Sequence, residues 1–198
     1  MSSSPRSILV MAGGTGGHIF PGLAVAEHLR GKGWDVAWLG NASGMEYRLV
    51  PARGFQFESV QFGGLRGKGL LTKVILPFNL IRAMAQSWQI IRRLKPSVVL
   101  GMGGYITFPG GLVSYLLGHP LILHEANSVA GSANRFLAKV AARILTGFPK
   151  TMPNAEWVGN PIRESFETLA SCGDRYAARQ GRFERSCLWG SCAHLSQV

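Results

Sequence analysis

The sequence predicts an α/β protein built on a doubly wound parallel sheet, and two observations lead to that prediction. Short apolar runs, typical of buried parallel strands, alternate along the chain with longer segments whose apolar residues follow helical spacing. Two of the runs also end in glycine-rich turns, at residues 13–17 and 101–105. Because ligands bind at the carboxyl ends of the strands in such sheets, both turns are expected to face one crevice.

The first forty residues predict a β–α–β unit. Residues 8–12 form a short apolar strand that runs into the first glycine turn. A helix follows, with Pro21 near its first turn and residues 31–33 at its end, and residues 36–39 give the next strand. A glycine turn that opens a helix offers free N–H groups and the positive end of the helix dipole, which suit a phosphate group. The alternative is a tight turn that needs glycine only for its backbone.

The same alternation continues to about residue 160. Residues 70–94 predict a helix in two pieces, with a break at Pro77, and residues 98–100 predict a strand before the second glycine turn. A further buried strand is expected at 121–123, then a helix over 134–143 and strands at 144–146 and 157–158. Strands that alternate with helices in this way favour a parallel sheet with helices packed on its faces.

Length and charge limit the class of protein. The chain has 198 residues, which suits one large α/β domain or one domain and part of another. Its formal net charge of +11 favours an anionic partner: a nucleic acid, a phosphorylated substrate or an acidic lipid surface. The sequence has no recognisable nucleic-acid-binding motif, so no nucleic acid is expected as partner. It also has no secretory signal pattern and no apolar stretch that predicts a membrane span, and we expect a cytoplasmic protein.

Basic residues concentrate between Glu58 and Glu125, where the sequence has no Asp or Glu. Within this stretch, residues 65–88 combine lysine and arginine with more apolar surface than one core-facing stripe requires. One interpretation is an apolar patch with a basic rim that lies on an anionic membrane, and the other is a core helix with solvated lysines. The candidate membrane patch comprises Arg66, Lys68, Lys73, Ile75 and Phe78.

Two polar side chains stand out at predicted strand ends. His18 directly follows the first glycine turn, where it could act as general base on a substrate hydroxyl or donate to a phosphate; a structural role is the alternative. Glu125 follows the strand at 121–123 together with His124 and Asn127, a placement typical of side chains that contact ligands. A helix cap or a loop salt bridge is the alternative for Glu125.

Several chemistries are disfavoured. The first glycine turn has neither the Gly-Lys-Ser/Thr ending of a P-loop nor the Gly-x-Gly-x-x-Gly pattern, which argues against nucleotide hydrolysis and standard dinucleotide binding. The three cysteines, Cys172, Cys187 and Cys192, all lie near the end of the chain. Cys187, Cys192 and His194 are candidate metal ligands, but two cysteines and one histidine make a poor zinc set, so no metal site is expected.

Five motifs in order closely resemble the MurG family of bacterial glycosyltransferases. They are residues 11–21 (MAGGTGGHIFP), 64–69 (GLRGKG), 101–105 (GMGGY), 124–127 (HEAN) and 158–163 (VGNPIR). The resemblance implies the Rossmann-like amino-terminal domain of a GT-B enzyme, here residues 1–168, on the acceptor side and associated with the membrane. It also implies an inverting reaction that moves N-acetylglucosamine from UDP-N-acetylglucosamine to lipid I (undecaprenyl-pyrophosphoryl-N-acetylmuramyl pentapeptide) and forms lipid II. The enzyme would be peripheral on the cytoplasmic face of the inner membrane, with no cofactor and no obligate metal.

The resemblance also implies roles for individual residues. His18 is the candidate base for the 4-hydroxyl of the acceptor. The positions that match donor-binding residues of the family are Thr15, Gly16, Gly17, Asn127 and Arg163. The positions that match acceptor or pyrophosphate contacts are Gly13, Gly14, Gly103, Gly104, Tyr105 and Glu125. The candidate membrane patch matches the family's membrane-association patch, so lipid I, UDP-N-acetylglucosamine and an anionic membrane surface are the expected partners.

Residues 169–198 depart from the family pattern. Where the family continues into a donor-binding domain, this tail has no clear strand or helix pattern. Degenerate codons for residues 183–191, read one base later, permit Leu-Asn-Val-Leu-Val-Cys-Gly-Gly, which resembles the strand and glycine turn expected there. We therefore hypothesise a frameshift. The alternative is a catalytically inactive fragment that binds only lipid I or the anionic membrane surface.

Overall fold

A computed structural model of the protein describes residues 6–62 and 70–162, without the side chains of residues 70–75. Within these ranges the strands are β1 (Ser7–Ala12), β2 (Asp35–Gly40), β3 (Gln56–Ser59), β4 (Val98–Gly103), β5 (Leu121–Glu125), β6 (Arg143–Thr146) and β7 (Glu156–Trp157). The helices are α1 (Gly16–Gly31), α2 (Glu46–Leu49), α3 (Leu70–Leu94), α4 (Thr107–Leu116) and α5 (Ser132–Leu137), with a short 3-10 turn at Pro51–Arg53. The α/β class predicted from the sequence is confirmed.

The strands form one parallel sheet in the order β3-β2-β1-β4-β5-β6-β7. The strand order reverses direction between β1 and β4, which makes their carboxyl ends the switch point where doubly wound sheets bind ligands. The β1–β4 register also shifts there: Met11 pairs with Gly101, but Ala12 pairs with Gly103. An extra residue of this kind bends its strand locally.

Two apolar layers cover the sheet. On one face α1 buries Ile19, Leu23 and Ala26 against β1 and β2. On the other face α3, α4 and α5 pack on a second cluster of buried side chains. Because both faces are covered, the central strands are apolar without alternation, which is the pattern that the sequence showed.

Trp38 links the core to the end of β1. Its side chain is fully buried, and its Nε1 donates to the carbonyl of Ala12 at 3.1 Å. A Cβ at Gly22 of α1 would lie 2.8 Å from the indole, so glycine is what lets α1 approach the sheet closely here. This packing fixes the point at which β1 enters the first glycine turn.

Three local predictions were wrong. Helix α1 begins at Gly16, so Pro21 is its sixth residue rather than part of the first turn. Pro77 does not divide α3, which runs unbroken over Leu70–Leu94, because Leu76 and later side chains pack on the core and offset the single lost hydrogen bond. The helix expected over 134–143 ends at Leu137, since the chain must turn before Arg143 enters β6.

Candidate functional site

The two glycine turns meet at the carboxyl ends of β1 and β4, as the sequence predicted. Their backbones touch: a Cβ at Gly104 would overlap the carbonyl oxygen of Gly13. The Tyr105 ring lies beside Gly14, 3.5 Å from where a Cβ would stand. Strand β4 itself runs through Gly103, so only Gly104 and Tyr105 of the second motif form the turn. Gly103 and Gly104 both have positive φ, at 106° and 88°, a conformation that glycine adopts without strain.

The first glycine turn leaves a short run of amides open. The N–H groups of His18 and Ile19 donate to the carbonyl of Thr15, and that of Gly14 donates to Oε2 of Glu46 at 3.4 Å. Those of Thr15, Gly16 and Gly17 find no acceptor among the residues that the structure describes. They form the start of the sixteen-residue helix α1, where the helix dipole favours negative charge. This geometry suits a phosphate oxygen.

His18, the third residue of α1, packs its imidazole on the backbone of Gly103. A Cβ at Gly103 would lie 2.7 Å from Nδ1, so a side chain there would displace the ring. Nδ1 is buried and has no hydrogen bond of good geometry within the described parts of the chain, although the Met102 carbonyl is close enough to act on it. Burial lowers the pKa of His18, against the opposing effects of the Glu125 carboxylate and that carbonyl. His18 is therefore neutral near pH 7, as a general base must be.

His124 is a second buried histidine at this edge. Its Nε2 lies 3.0 Å from the carbonyl oxygen of Gly159, which can only accept, so Nε2 carries the proton of the neutral ring. Burial lowers the pKa of His124; the Gly159 carbonyl and Glu125 raise it, and His18 lowers it further. Nearby, Nδ2 of Asn160 donates to the carbonyl of Ala126 at 3.0 Å. These two bonds, here called the strand-end clasp, attach the segment after β7 to the end of β5.

Glu125 organises the loop that follows β5. Glu125 is 1% exposed, and its two carboxylate oxygens accept four hydrogen bonds. Oε1 accepts from the backbone and side-chain nitrogens of Asn127, at 3.0 and 2.9 Å. Oε2 accepts from the backbone of Gly131, at 3.0 Å, and from Nδ2 of Asn134, at 2.9 Å. These bonds order the loop that leads to α5, and the described residues give Glu125 no salt bridge. Asn127 is exposed just after the carboxyl end of β5.

Sequence reasoning missed two polar residues behind Tyr105. Nδ2 of Asn41 lies 3.5 Å from the Tyr105 hydroxyl, and the fully buried Glu46 lies behind Asn41. Burial raises the pKa of Tyr105, the Asn41 contact lowers it and the charge of Glu46 raises it further, so the hydroxyl keeps its proton. Asn41 directly follows β2, and a polar residue close to the end of the strand predicted at 36–39 was the signal that could have found it.

The structure describes only some of the remaining predicted site residues. Phe78 is described and is 72% exposed, on a helix whose neighbour Ile81 is also exposed. The side chains of Lys73 and Ile75 are not described, and Arg66, Lys68, Arg163 and the tail at 169–198 lie outside the described residues. No described helix is long and apolar enough to cross a membrane. Within residues 6–62 and 70–162, no three His, Cys, Asp or Glu side chains are grouped as metal ligands.

Comparison with known proteins gives consistent matches. Residues 8–146 match the glycosyltransferase family 28 N-terminal domain. The chain is 70% identical over 185 residues to a protein of Polynucleobacter asymbioticus named UDP-N-acetylglucosamine--N-acetylmuramyl-(pentapeptide) pyrophosphoryl-undecaprenol N-acetylglucosamine transferase, covering 93% of this chain and 52% of that protein. A protein of the same name from Burkholderia thailandensis is 60% identical over 200 residues, covering 100% of this chain and 54% of the relative.

A solved structure also matches this chain. The crystal structure of Acinetobacter baumannii MurG superposes with a TM-score of 0.70 at 39% identity, over 79% of this chain and 45% of that one. The chain thus spans about half the length of the curated relatives it matches.

Proposed function

The chain belongs to the glycosyltransferase family 28 N-terminal domain family, and on that premise we propose that it is the acceptor-side domain of an inverting N-acetylglucosamine transferase. The reaction moves N-acetylglucosamine from UDP-N-acetylglucosamine to lipid I and forms lipid II for peptidoglycan. The observation that carries the proposal is the neutral His18 next to three open amides at the start of α1. The names of relatives up to 70% identical support the same donor and acceptor.

In this proposal His18 is the catalytic base. It accepts the proton of the acceptor 4-hydroxyl while that oxygen forms a bond to the anomeric carbon, and the bond from this carbon to UDP breaks. Attack from the face opposite the leaving group inverts the anomeric carbon. The packing of His18 on Gly103 holds the imidazole in one position, so its lone pair is oriented before substrate binds.

The glycine turns bind the charged parts of the substrates. The amides of Thr15, Gly16 and Gly17 donate hydrogen bonds to the UDP-sugar. The lipid I pyrophosphate lies along the backbone of Gly13, Gly14, Gly103 and Gly104. Asn127 and Arg163 contact the donor. The Tyr105 hydroxyl keeps its proton and donates a hydrogen bond to the acceptor. Backbone N–H groups and a helix N-terminus supply positive potential here, and the proposed reaction uses no metal.

The protein acts at a membrane surface in this proposal, on the cytoplasmic face of the inner membrane. Lipid I carries an undecaprenyl chain, so its pyrophosphate lies at the bilayer surface. The exposed Phe78 and Ile81 on α3 supply an apolar surface, and the same stretch of the sequence carries basic residues. Such a surface binds anionic membranes through buried apolar area together with attraction to the lipid headgroups.

The test is transfer of labelled N-acetylglucosamine to lipid I by the protein and by two matched variants. His18→Gln removes the base, and His28→Gln makes the same change at an exposed position of the same helix. We expect His18→Gln to lower kcat by about 10²–10⁴-fold and His28→Gln to change it by less than about 2-fold. Unchanged turnover in His18→Gln would remove His18 as the base.

The same assay addresses the alternative of a non-catalytic fragment. The observation behind this alternative is that the chain spans about half the length of its relatives. Binding of the wild-type chain to vesicles that contain lipid I, without turnover, would favour the fragment. Turnover by the chain would exclude it.

A further inference from the structure

Glu46 is a fully buried carboxylate beside the first glycine turn. It begins α2, in the connection that follows β2, and three glycines enclose it. A Cβ at Gly13 would lie 2.5 Å from its Oε1, one at Gly40 would lie 2.7 Å from its Cγ, and one at Gly44 would overlap the carboxylate. The first glycine turn, the end of β2 and the loop before α2 therefore leave space for this side chain.

The hydrogen bonds of Glu46 go to backbone amides. Oε1 accepts from the N–H of Asn41 at 3.1 Å, and Oε2 accepts from the N–H of Gly14 at 3.4 Å. The described part of the chain gives it no ion pair with Lys, Arg or His. Gly14 has φ of 91°, and a glycine there allows the N–H to point either towards the crevice or towards the interior. The hydrogen bond to the Glu46 carboxylate holds this N–H towards the interior.

Asn41 extends this contact to Tyr105. Its Oδ1 accepts from the backbone N and from Oγ of Ser43, both at 3.0 Å, and its Nδ2 donates to the carbonyl of Phe62 at 2.7 Å. A backbone N–H only donates and a carbonyl only accepts, so the orientation of the amide is fixed. Nδ2 must therefore also be the donor to the Tyr105 hydroxyl oxygen at 3.5 Å. The phenolic proton is left to point away from Asn41.

We propose that Glu46 is a positioning residue for the anion site: it holds the Gly14 amide inward and, through Asn41, sets Tyr105 as a donor towards the same ligand. The inference rests on the proposed function, in which that ligand is the pyrophosphate of the acceptor. The Tyr105 hydroxyl and the backbone of Gly13, Gly14, Gly103 and Gly104 then border the same pyrophosphate, next to the Thr15 to Gly17 amides that bind the donor. Glu46 contacts neither substrate and acts only through these groups.

The experiment measures binding of inorganic pyrophosphate to the full chain by calorimetry, together with thermal unfolding. Glu46→Gln keeps the shape but turns an NH₂ group against one of the two backbone donors, and Glu27→Gln makes the same change at a partly exposed ion pair with Arg53. We expect Glu46→Gln to weaken pyrophosphate binding at least about 10-fold and Glu27→Gln to change it less than about 2-fold. Equal binding by wild type and Glu46→Gln would overturn the inference and leave the proposed function intact. No binding by the wild type would overturn the anion site itself, and the inference with it.

A second pair of variants tests the route to Tyr105 in case Glu46→Gln does not fold. Asn41→Ala and Tyr105→Phe are each expected to weaken pyrophosphate binding, and the double variant to bind no more weakly than Tyr105→Phe alone. This non-additivity follows if Asn41 acts through the hydroxyl, and a merely structural role would not produce it. Additive losses would overturn the proposed route.

Discussion

Replacing Glu125 by Gln is the most informative test of the site because the four donors around this carboxylate allow the cost to be estimated. A glutamine keeps one acceptor oxygen and places an NH₂ group where the other oxygen accepted two bonds. Each carboxylate oxygen accepts one backbone N–H, from Asn127 or Gly131, and one side-chain amide, from Asn127 or Asn134. A side-chain amide can rotate and accept from the new NH₂, but the backbone N–H cannot.

One lost bond to a charged acceptor costs about 1.5–3 kcal/mol, and two cost about 3–6 kcal/mol. We therefore expect the free energy of unfolding of Glu125→Gln to fall by at least about 1.5 kcal/mol. The matched control is Glu156→Gln, whose carboxylate lies 3.8 Å from Arg143 on an exposed surface and should change the same quantity by about 0–1 kcal/mol. The assay is urea unfolding of the full chain, followed by tryptophan fluorescence.

The same substitution has an electrostatic consequence. The Glu125 carboxylate raises the pKa of both His18 and His124, so removing its charge lowers both values. In the transfer assay, the acidic limb of the kcat/KM profile should move to lower pH. Equal unfolding midpoints for Glu125→Gln and Glu156→Gln, or an acidic limb that stays in place, would refute this account of Glu125.

Three further outcomes are expected. Gly104→Ala introduces a Cβ that overlaps the first glycine turn, whereas Gly118 has positive φ but open space around it. Gly118→Ala should therefore cost only backbone strain, about 1–3 kcal/mol, and Gly104→Ala should cost more. Equal denaturation midpoints for the two variants would contradict this. In the folded chain the pKa values of His18 and His124 lie below their ordinary value of 6.5, so below pH 6.5 the unfolded chain binds more protons than the folded chain. The free energy of unfolding should therefore decrease as the pH drops from 6.5 towards the folded pKa values, and a pH titration of unfolding should show a smaller decrease for His124→Gln. Phe78→Ser should weaken sedimentation with anionic vesicles while changing unfolding free energy by less than about 0.5 kcal/mol; unchanged sedimentation would exclude this side chain from the membrane contact.

The sequence was sufficient for the central strands and the glycine turns because their signals are local. An apolar run followed by glycines marks a buried parallel strand wherever it occurs. Helix α4 gave no such signal, since Pro109, Gly110 and Gly111 all disfavour a helix locally. Its glycines are required by packing instead: a Cβ at Gly110 would lie 2.5 Å from the sulfur of Met11, and one at Gly111 would lie 2.7 Å from Leu137.

The site was predictable only in part for a related reason. His18, Glu125 and Tyr105 each follow a strand signal, so their convergence at one sheet edge could be inferred. Glu46 could not be found in this way, because its role depends on which strand lies next to β1. The side to which Glu125 directs its oxygens likewise depends on how the loop at 126–134 folds back, which no local pattern encodes.

The strand-end clasp has a mechanical consequence. His124 and Ala126 hold the backbone at Gly159 and the side chain of Asn160, so the chain at residues 159–160 is fixed beside the site. A pull or rotation applied there would act on the ring of His124 before it reached the core of the sheet. Since the Gly159 carbonyl raises the pKa of His124 and the charge of His18 lowers it, the position of residues 159–160 and the charge states of the two histidines are coupled.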